Sequence, residues 1–172
     1  MAHAVLEEAA VPTLPREIEE LFETHKSMVY RAAYRVAGNS SDAEDALQTV
    51  FMRLLRREDA PAEMRSPESY LRRAAVNAAL DIVRARQAAK NLPLEDLPTP
   101  AACTELRELR QQLRTAIATL PPKWAEIFTL RFFEGYSNPE IARMLGMSQV
   151  LVAVTVHRAR RRLQKQVGAM RS

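Results

Sequence analysis

One cysteine, four glycines and no long apolar run limit what this chain of 172 residues can be. Cys103 alone cannot form an internal disulfide. With no second cysteine and no nearby histidine it does not begin a zinc site either. A reducing compartment is therefore expected. His3, His25 and His157 are too scattered for a ligand cluster. No stretch approaches the ~18 apolar residues of a membrane span, so no membrane insertion is expected. Residues 1–15 lack a basic start followed by an apolar core, so they read as a frayed Ala/Glu tail and not a signal peptide, and the expected location is cytoplasmic. A Ser-His-Asp set, a glycine-rich phosphate loop and paired catalytic carboxylates are all missing. Neither chemistry of its own, nor a cofactor, nor a bound metal is expected. Scarce glycine and the lack of alternating apolar and polar runs argue against sheets. Finally, no acidic residue follows Glu140.

What is present is helical. Hydrophobic residues make up 47% of the chain and charged residues 27%, in long Ala/Leu/Arg/Glu stretches that predict an all-α fold. The net charge of +4 is unevenly placed: Glu7, Glu8, Glu17, Glu19, Glu20 and Glu23 make the N-terminus acidic, and the C-terminus is basic. That asymmetry favours a nucleic-acid contact at the C-terminal end. A first helix is predicted from about Glu17 to Ala37. Ser41 and Glu44 have the spacing of a capping box for a second, reaching about Arg57. Ser66 followed by Pro67 starts a third, reaching about Lys90. Pro93, Pro98 and Pro100 then break the pattern. The chain therefore divides into a tail (1–15), a helical domain (16–90), a proline-containing linker (91–103) and a second helical domain (104–172).

Helices resume at about Thr104 and again after the Leu120-Pro121-Pro122 turn, and the segment Leu120 to Gln166 reads as a helix-turn-helix. Ser137 and Glu140 form a capping box, Ile141, Ala142 and Leu145 are the apolar positions of a short helix, and Gly146 sits just past its last turn. Ser148 caps a second helix, in which Val152, Val156, Ala159 and Leu163 recur as one buried stripe. Its far side and end carry Arg158, Arg160, Arg161, Arg162 and Lys165. A small helix on a helical support with a basic end suits a DNA major groove and its phosphates.

Two further motifs precede it. Asp42-Ala43-Glu44-Asp45 continues to Gln48 on the second helix. Tyr70-Leu71, Asn77, Leu80-Asp81 and Arg84 follow on the third. Together with Leu120 to Gly146 and His157-Arg158-Ala159, these motifs resemble the extracytoplasmic-function (ECF) class of bacterial sigma factors, the two-domain specificity subunits of RNA polymerase, from about Glu17 to Val167. The resemblance implies that Asp42, Glu44, Asp45 and Gln48 dock on the clamp helices of the polymerase β′ subunit. The loop from Asp59 to Ser66 and the third helix would read and melt the −10 element through Arg65, Asn77, Arg84 and Arg86, with Arg72, Arg73 and Lys90 toward phosphates. The second domain would bind the β flap and the −35 element, and an anti-sigma partner would be expected. From the residues alone other assignments stay open. Carboxylates suit any helix start, Asn77 suits a satisfied helix position, the arginines suit a solvated face, and Tyr70 suits core packing.

Two departures from the family pattern stand out. Where the recognition helix usually has polar and basic groups, this chain has Val150 to Val156, which leaves the methyl-rich Leu151, Val154 and Thr155 for base edges and Arg158, Arg161 and Arg162 for phosphates. Thr49 stands where an acidic residue often follows the glutamine. Phosphorylated, it would restore roughly −1.5 to −2 charges; unmodified, it is simply tolerated on a helix face. The competing functional readings are a stand-alone helix-turn-helix regulator and an adaptor that binds only protein.

Overall fold

A computed structural model describes residues 16–56, 66–90 and 104–170. It contains α1 (Arg16–Ala37), α2 (Ser40–Leu55), α3 (Pro67–Lys90), α4 (Thr104–Ala118), α5 (Pro122–Phe132), α6 (Asn138–Leu145) and α7 (Gln149–Met170), and no strand among the described residues. The proposed tail, the linker with Cys103, and the loop carrying Arg65 lie outside the described residues.

α1, α2 and α3 pack on one another. In α2, Ala43, Ala46, Val50, Phe51 and Leu54 are buried, the three-four spacing that turns one helix face inward. Phe22 of α1 meets Phe51 edge-on, with ring centroids 4.9 Å apart. α1 stops at Gly38, whose φ of 81° is a left-handed conformation that β-carbons disfavour. A β-carbon there would also lie 2.6 Å from the guanidinium carbon of Arg114, which reaches over from α4.

α2 starts earlier than the Ser41/Glu44 reading. Its cap is Asn39, whose Oδ1 accepts the Asp42 backbone N–H at 2.9 Å. The Asn39 amide Nδ2 donates to the Asp42 carboxylate at 3.0 Å. Asn outranks or equals Ser as a cap, and Gly38 delivers the chain to it. The Ser66-Pro67 start of α3 and the Pro121-Pro122 start of α5 match the sequence reading.

The second set is built from α4 to α7, with α5 and α6 against α7. Ile127, Leu130, Ile141, Val152 and Ala159 are fully buried. α5 is the exception to one-sided burial, because Ala125 to Leu130 are all buried, Glu126 and Thr129 included. One side of α5 meets α7 and another meets α3. α3 is likewise covered on two sides, by α1 and α2 and by α4 and α5. Ala75, Ala78 and Ala79 let those helices approach closely. The buried apolar side chains of the two helical sets thus form one continuous cluster and not two separate cores.

The cap assignment is testable by thermal or urea unfolding. Asn39→Ala should lower stability by about 1 kcal/mol, while Ser41→Ala should change it by less than about 0.5 kcal/mol.

Candidate functional site

The helix-turn-helix is assembled as its sequence implies. Ser137 N–H donates to Glu140 Oε2 at 2.7 Å, and Ser137 Oγ accepts the Glu140 N–H at 3.4 Å. The hydrogen bonds from the Ser137 hydroxyl and backbone N–H hold the exposed Glu140 carboxyl below the usual carboxylate range. Gly146 adopts φ 62°, and its N–H bonds Ala142 O to close α6. Ser148 Oγ accepts the Leu151 N–H at 3.2 Å and so caps α7. Val152, Ala159 and Leu163 are buried, with Val156 half-buried beside them.

The outward face of α7 carries Val150, Leu151, Val154, Arg158 and Arg161, all exposed. Val150, at 73% exposure, is the most open large apolar side chain of this helix. It is an addition to the residues expected from sequence, although its spacing of four from Val154 places it on the same face. Arg162 is exposed at the border of that face. Thr155 is corrected: it is 6% exposed, and its hydroxyl donates to Leu151 O at 2.8 Å. It lies three residues after Val152 and four before Ala159, which puts it on the packed side.

On α2, Glu44, Asp45 and Gln48 are exposed. Asp45, Gln48, Thr49, Met52, Arg53 and Arg56 line one shallow groove. The Thr49 hydroxyl donates to Asp45 O at 2.8 Å. Asp42 is corrected. It is buried, held by Asn39 and paired with Arg86 of α3, so it braces α2 on α3 and does not face a partner. Arg86, expected toward DNA, is occupied in that pair.

Arg72, Arg73, Asn77 and Arg84, also expected toward DNA, are turned onto the second helical set. Asn77 Nδ2 donates to Glu126 Oε1 at 3.0 Å, and Arg73 Nε bonds the same oxygen. Lys123 Nζ takes the other carboxylate oxygen at 3.1 Å. Burial pushes the Glu126 carboxyl up, but the hydrogen bonds of Arg73 and Asn77, the Arg73 charge and the Lys123 hydrogen bond outweigh it and hold the group below the usual range. Arg84 Nε donates to Ala118 O at 3.1 Å, at the carbonyl end of α4 where cations are favoured. Gln87 reaches Thr115 O at 3.2 Å. Arg72 bonds Glu134 at 3.3 Å, and Arg35 of α1 holds both oxygens of Glu134 at 2.9 and 3.0 Å. Glu126, Glu134, Arg35 and Arg114 are additions that sequence reasoning did not single out. Of these only Glu126 leaves a signal, as a carboxylate inside the otherwise apolar run that begins at Ala125.

Among the described residues no group of three or more His, Cys, Asp or Glu gathers to hold a metal ion, and no helix is long and apolar enough to cross a membrane. The geometry is that of a helix-turn-helix whose second helix exposes an apolar and basic face, joined to a second helical set with an exposed acidic helix face.

Known proteins agree with that description. Residues 21–89 match the sigma-70 region 2 model and residues 110–163 the sigma-70 region 4 model. The RNA polymerase sigma-E factor of Streptomyces avermitilis is 35% identical over 153 residues, which span 88% of this chain and 85% of that protein. The ECF RNA polymerase sigma factor SigM of Mycobacterium tuberculosis is 32% identical over 150 residues, 87% of this chain and 76% of that one. The fold is similar to that of the sigma factor RpoE of Bartonella quintana, solved with the anti-sigma factor NepR, at a TM-score of 0.53 and 19% identity over 90% of this chain and 98% of that chain.

The weight of Glu126 shows in its pH dependence. A carboxyl whose folded pKa is depressed stabilises fully above its unfolded value, about 4.3, and that contribution is lost as pH falls through the lower folded value. Urea midpoints compared from neutral pH downward should fall more for the unaltered chain than for Glu126→Gln, which is already weaker at neutral pH. With region 2 and region 4 matched in order and relatives aligned across most of their length, the chain belongs to the extracytoplasmic-function family of RNA polymerase sigma factors, which direct promoter-specific initiation of transcription.

Proposed function

We propose that the two helical sets divide the work of a sigma factor as follows. Glu44, Asp45 and Gln48 on the outer side of the start of α2 dock the chain on the β′ clamp helices of core polymerase. α3, with Asn77, Arg84 and the neighbouring arginines, lies along the −10 element, and the loop carrying Arg65 captures an unstacked base. α7 enters the major groove at the −35 element, and the second set also meets the β flap. The protein works in the cytoplasm without a cofactor and without catalysing a reaction itself. An anti-sigma protein restrains it, a reading supported by the complex of the Bartonella quintana sigma factor with NepR.

The observation that carries this reading is the outward face of α7, where Val150, Leu151, Val154, Arg158 and Arg161 line up on a helix whose opposite stripe is buried. Side chains at the start of such a helix reach base edges, and cations further along reach phosphates. Run-off transcription with core polymerase on genomic DNA tests it directly. Promoter-specific starts are expected, and their absence would return the chain to the stand-alone regulator reading.

Two mutational outcomes follow from the geometry. Glu44→Ala with Asp45→Ala should weaken core polymerase binding by about tenfold without lowering the thermal midpoint, since both side chains are exposed; Asp42→Ala should instead lower the midpoint. On the recognition helix, Arg161→Ala should weaken all promoters alike and flatten the salt dependence by a slope of about one. Val154→Ala should lower use of promoters with a thymine at the contacted step, by roughly 1 kcal/mol or less. A promoter library transcribed at several salt concentrations separates the two patterns.

A further inference from the structure

Tyr34 and Arg35 of α1, Arg110, Leu113 and Arg114 of α4, and Phe133 at the end of α5 line a cleft of about 380 Å³. The polymerase and promoter contacts proposed above leave it unused. Three of its six residues are arginines, and only one of them has a carboxylate. Arg35 is held by Glu134, which also takes Arg72. Arg110 and Arg114 form no ion pair among the described residues, although they stand one turn apart on α4, where like charges repel. Glu108, two residues before Arg110, falls on another side of that helix. Arg31 and Arg107, each exposed and one turn before a cleft residue, add to the positive charge. Arg114 is half-buried, and burial, then the Arg110 charge, push its pKa down while Tyr34 opposes them. Its guanidinium lies against Gly38, where a β-carbon would come within 2.6 Å, and its Nε donates to Arg35 O at 3.4 Å. The group is thus held in place while its Nη atoms have no acceptor among the described residues. We propose that this cleft binds a nucleoside triphosphate, its phosphates on Arg110 and Arg114 and its base against the Tyr34 and Phe133 rings.

The two halves of the cleft ask for different chemistry. Guanidinium forks match phosphate oxygens two at a time. Two unpaired forks on one turn call for a group with more than one negative charge. A bare polyphosphate would satisfy them, yet it would leave Tyr34, Leu113 and Phe133 in water. An aromatic base covers that apolar wall. Tyr34 is 44% exposed, and its ring is steadied by stacking on Tyr30 with centroids 6.1 Å apart. The volume lies within the range of roughly 300–1,000 Å³ that small-molecule pockets occupy. The arginines of α7 are the competing anion site on the molecule. That helix contains no Phe, Tyr or Trp, so it attracts phosphates and offers a base no aromatic ring to stack on. A base and a polyphosphate in one molecule therefore fit the cleft better than they fit α7.

The probes are ATP, GTP and inorganic tripolyphosphate, each titrated calorimetrically into the full chain without polymerase or DNA. At least one of the two nucleotides should bind about tenfold more tightly than tripolyphosphate. Arg110→Gln should weaken that nucleotide by about tenfold. Tyr34→Ala should weaken it by about fivefold and leave tripolyphosphate unchanged. Both side chains are exposed, so neither change should disturb the fold, and the thermal midpoint without ligand checks this. Arg114 is left in place because it packs on Gly38. Arg161→Gln removes the same charge from the exposed face of α7 and should change nucleotide affinity by less than about twofold. Saturating nucleotide should also raise the thermal midpoint of the unaltered chain by more than that of Arg110→Gln. Binding of neither nucleotide, equal binding of nucleotide and tripolyphosphate, or a loss in Arg161→Gln as large as that in Arg110→Gln would each overturn the proposal. The last of these would place the anion on α7.

Discussion

A carboxylate in the middle of a helix that has neighbours on opposite sides must find cations or it will not stay ionised. Glu126 is that group, and its partners decide how the two helical sets meet. The Glu126 side chain is 6% exposed, and two of its three partners come from α3. Only one register of α5 against α3 brings Arg73 and Asn77 onto the same carboxylate oxygen. Once that register is set, Glu134 falls at Arg35 and Arg72, and the carbonyl end of α4 falls at Arg84 and Gln87. Apolar burial between α3 and α5 supplies non-directional attraction. The carboxylates supply the direction.

The α3 face that meets the second set is fully engaged: Arg72, Arg73, Asn77, Arg84 and Gln87 each bond Glu134, Glu126 or the last turn of α4. Glu44, Asp45 and Gln48 lie off the buried stripe of α2, so a partner held on that side of the helix would leave the α3 contacts untouched.

What is readable in the sequence, and what is not, divides along local and long-range lines. Helix starts are visible where one or two neighbouring residues decide them: Ser66-Pro67, Pro121-Pro122, and the Ser137/Glu140 box. The α2 start is misplaced because Asn39 and Ser41 are both good caps, and the choice is made by the turn at Gly38. On α7, Val152, Ala159 and Leu163 mark the buried stripe correctly, yet Thr155 falls on the wrong side because the border of a stripe is ambiguous for a small polar residue. Asp42 looks like one more exposed carboxylate in an acidic helix start. Its burial depends on Arg86, forty-four positions away, and no local pattern carries that pairing. The inter-set contacts are invisible for the same reason, apart from the charged residue interrupting the apolar run of α5.

The methyl-rich start of α7 poses a question of magnitude. Val150, Leu151 and Val154 offer thymine methyl contacts, each weaker than the ~1–3 kcal/mol of a bidentate arginine–guanine pair. For an isolated regulator that deficit would fall directly on affinity. For a sigma factor it does not, because the −35 contact forms while the polymerase and the −10 contact also hold the DNA. Each further contact is then intramolecular, at an effective concentration that reaches the millimolar range for short tethers. A helix that adds only a few kcal/mol of phosphate and methyl contact is sufficient under those conditions. In the proposed −35 contact, Arg158 and Arg161 on the exposed face, with Arg162 at its border, would supply the phosphate part without regard to sequence. The apolar trio would then supply the discrimination, through contacts that an arginine elsewhere on the helix cannot make.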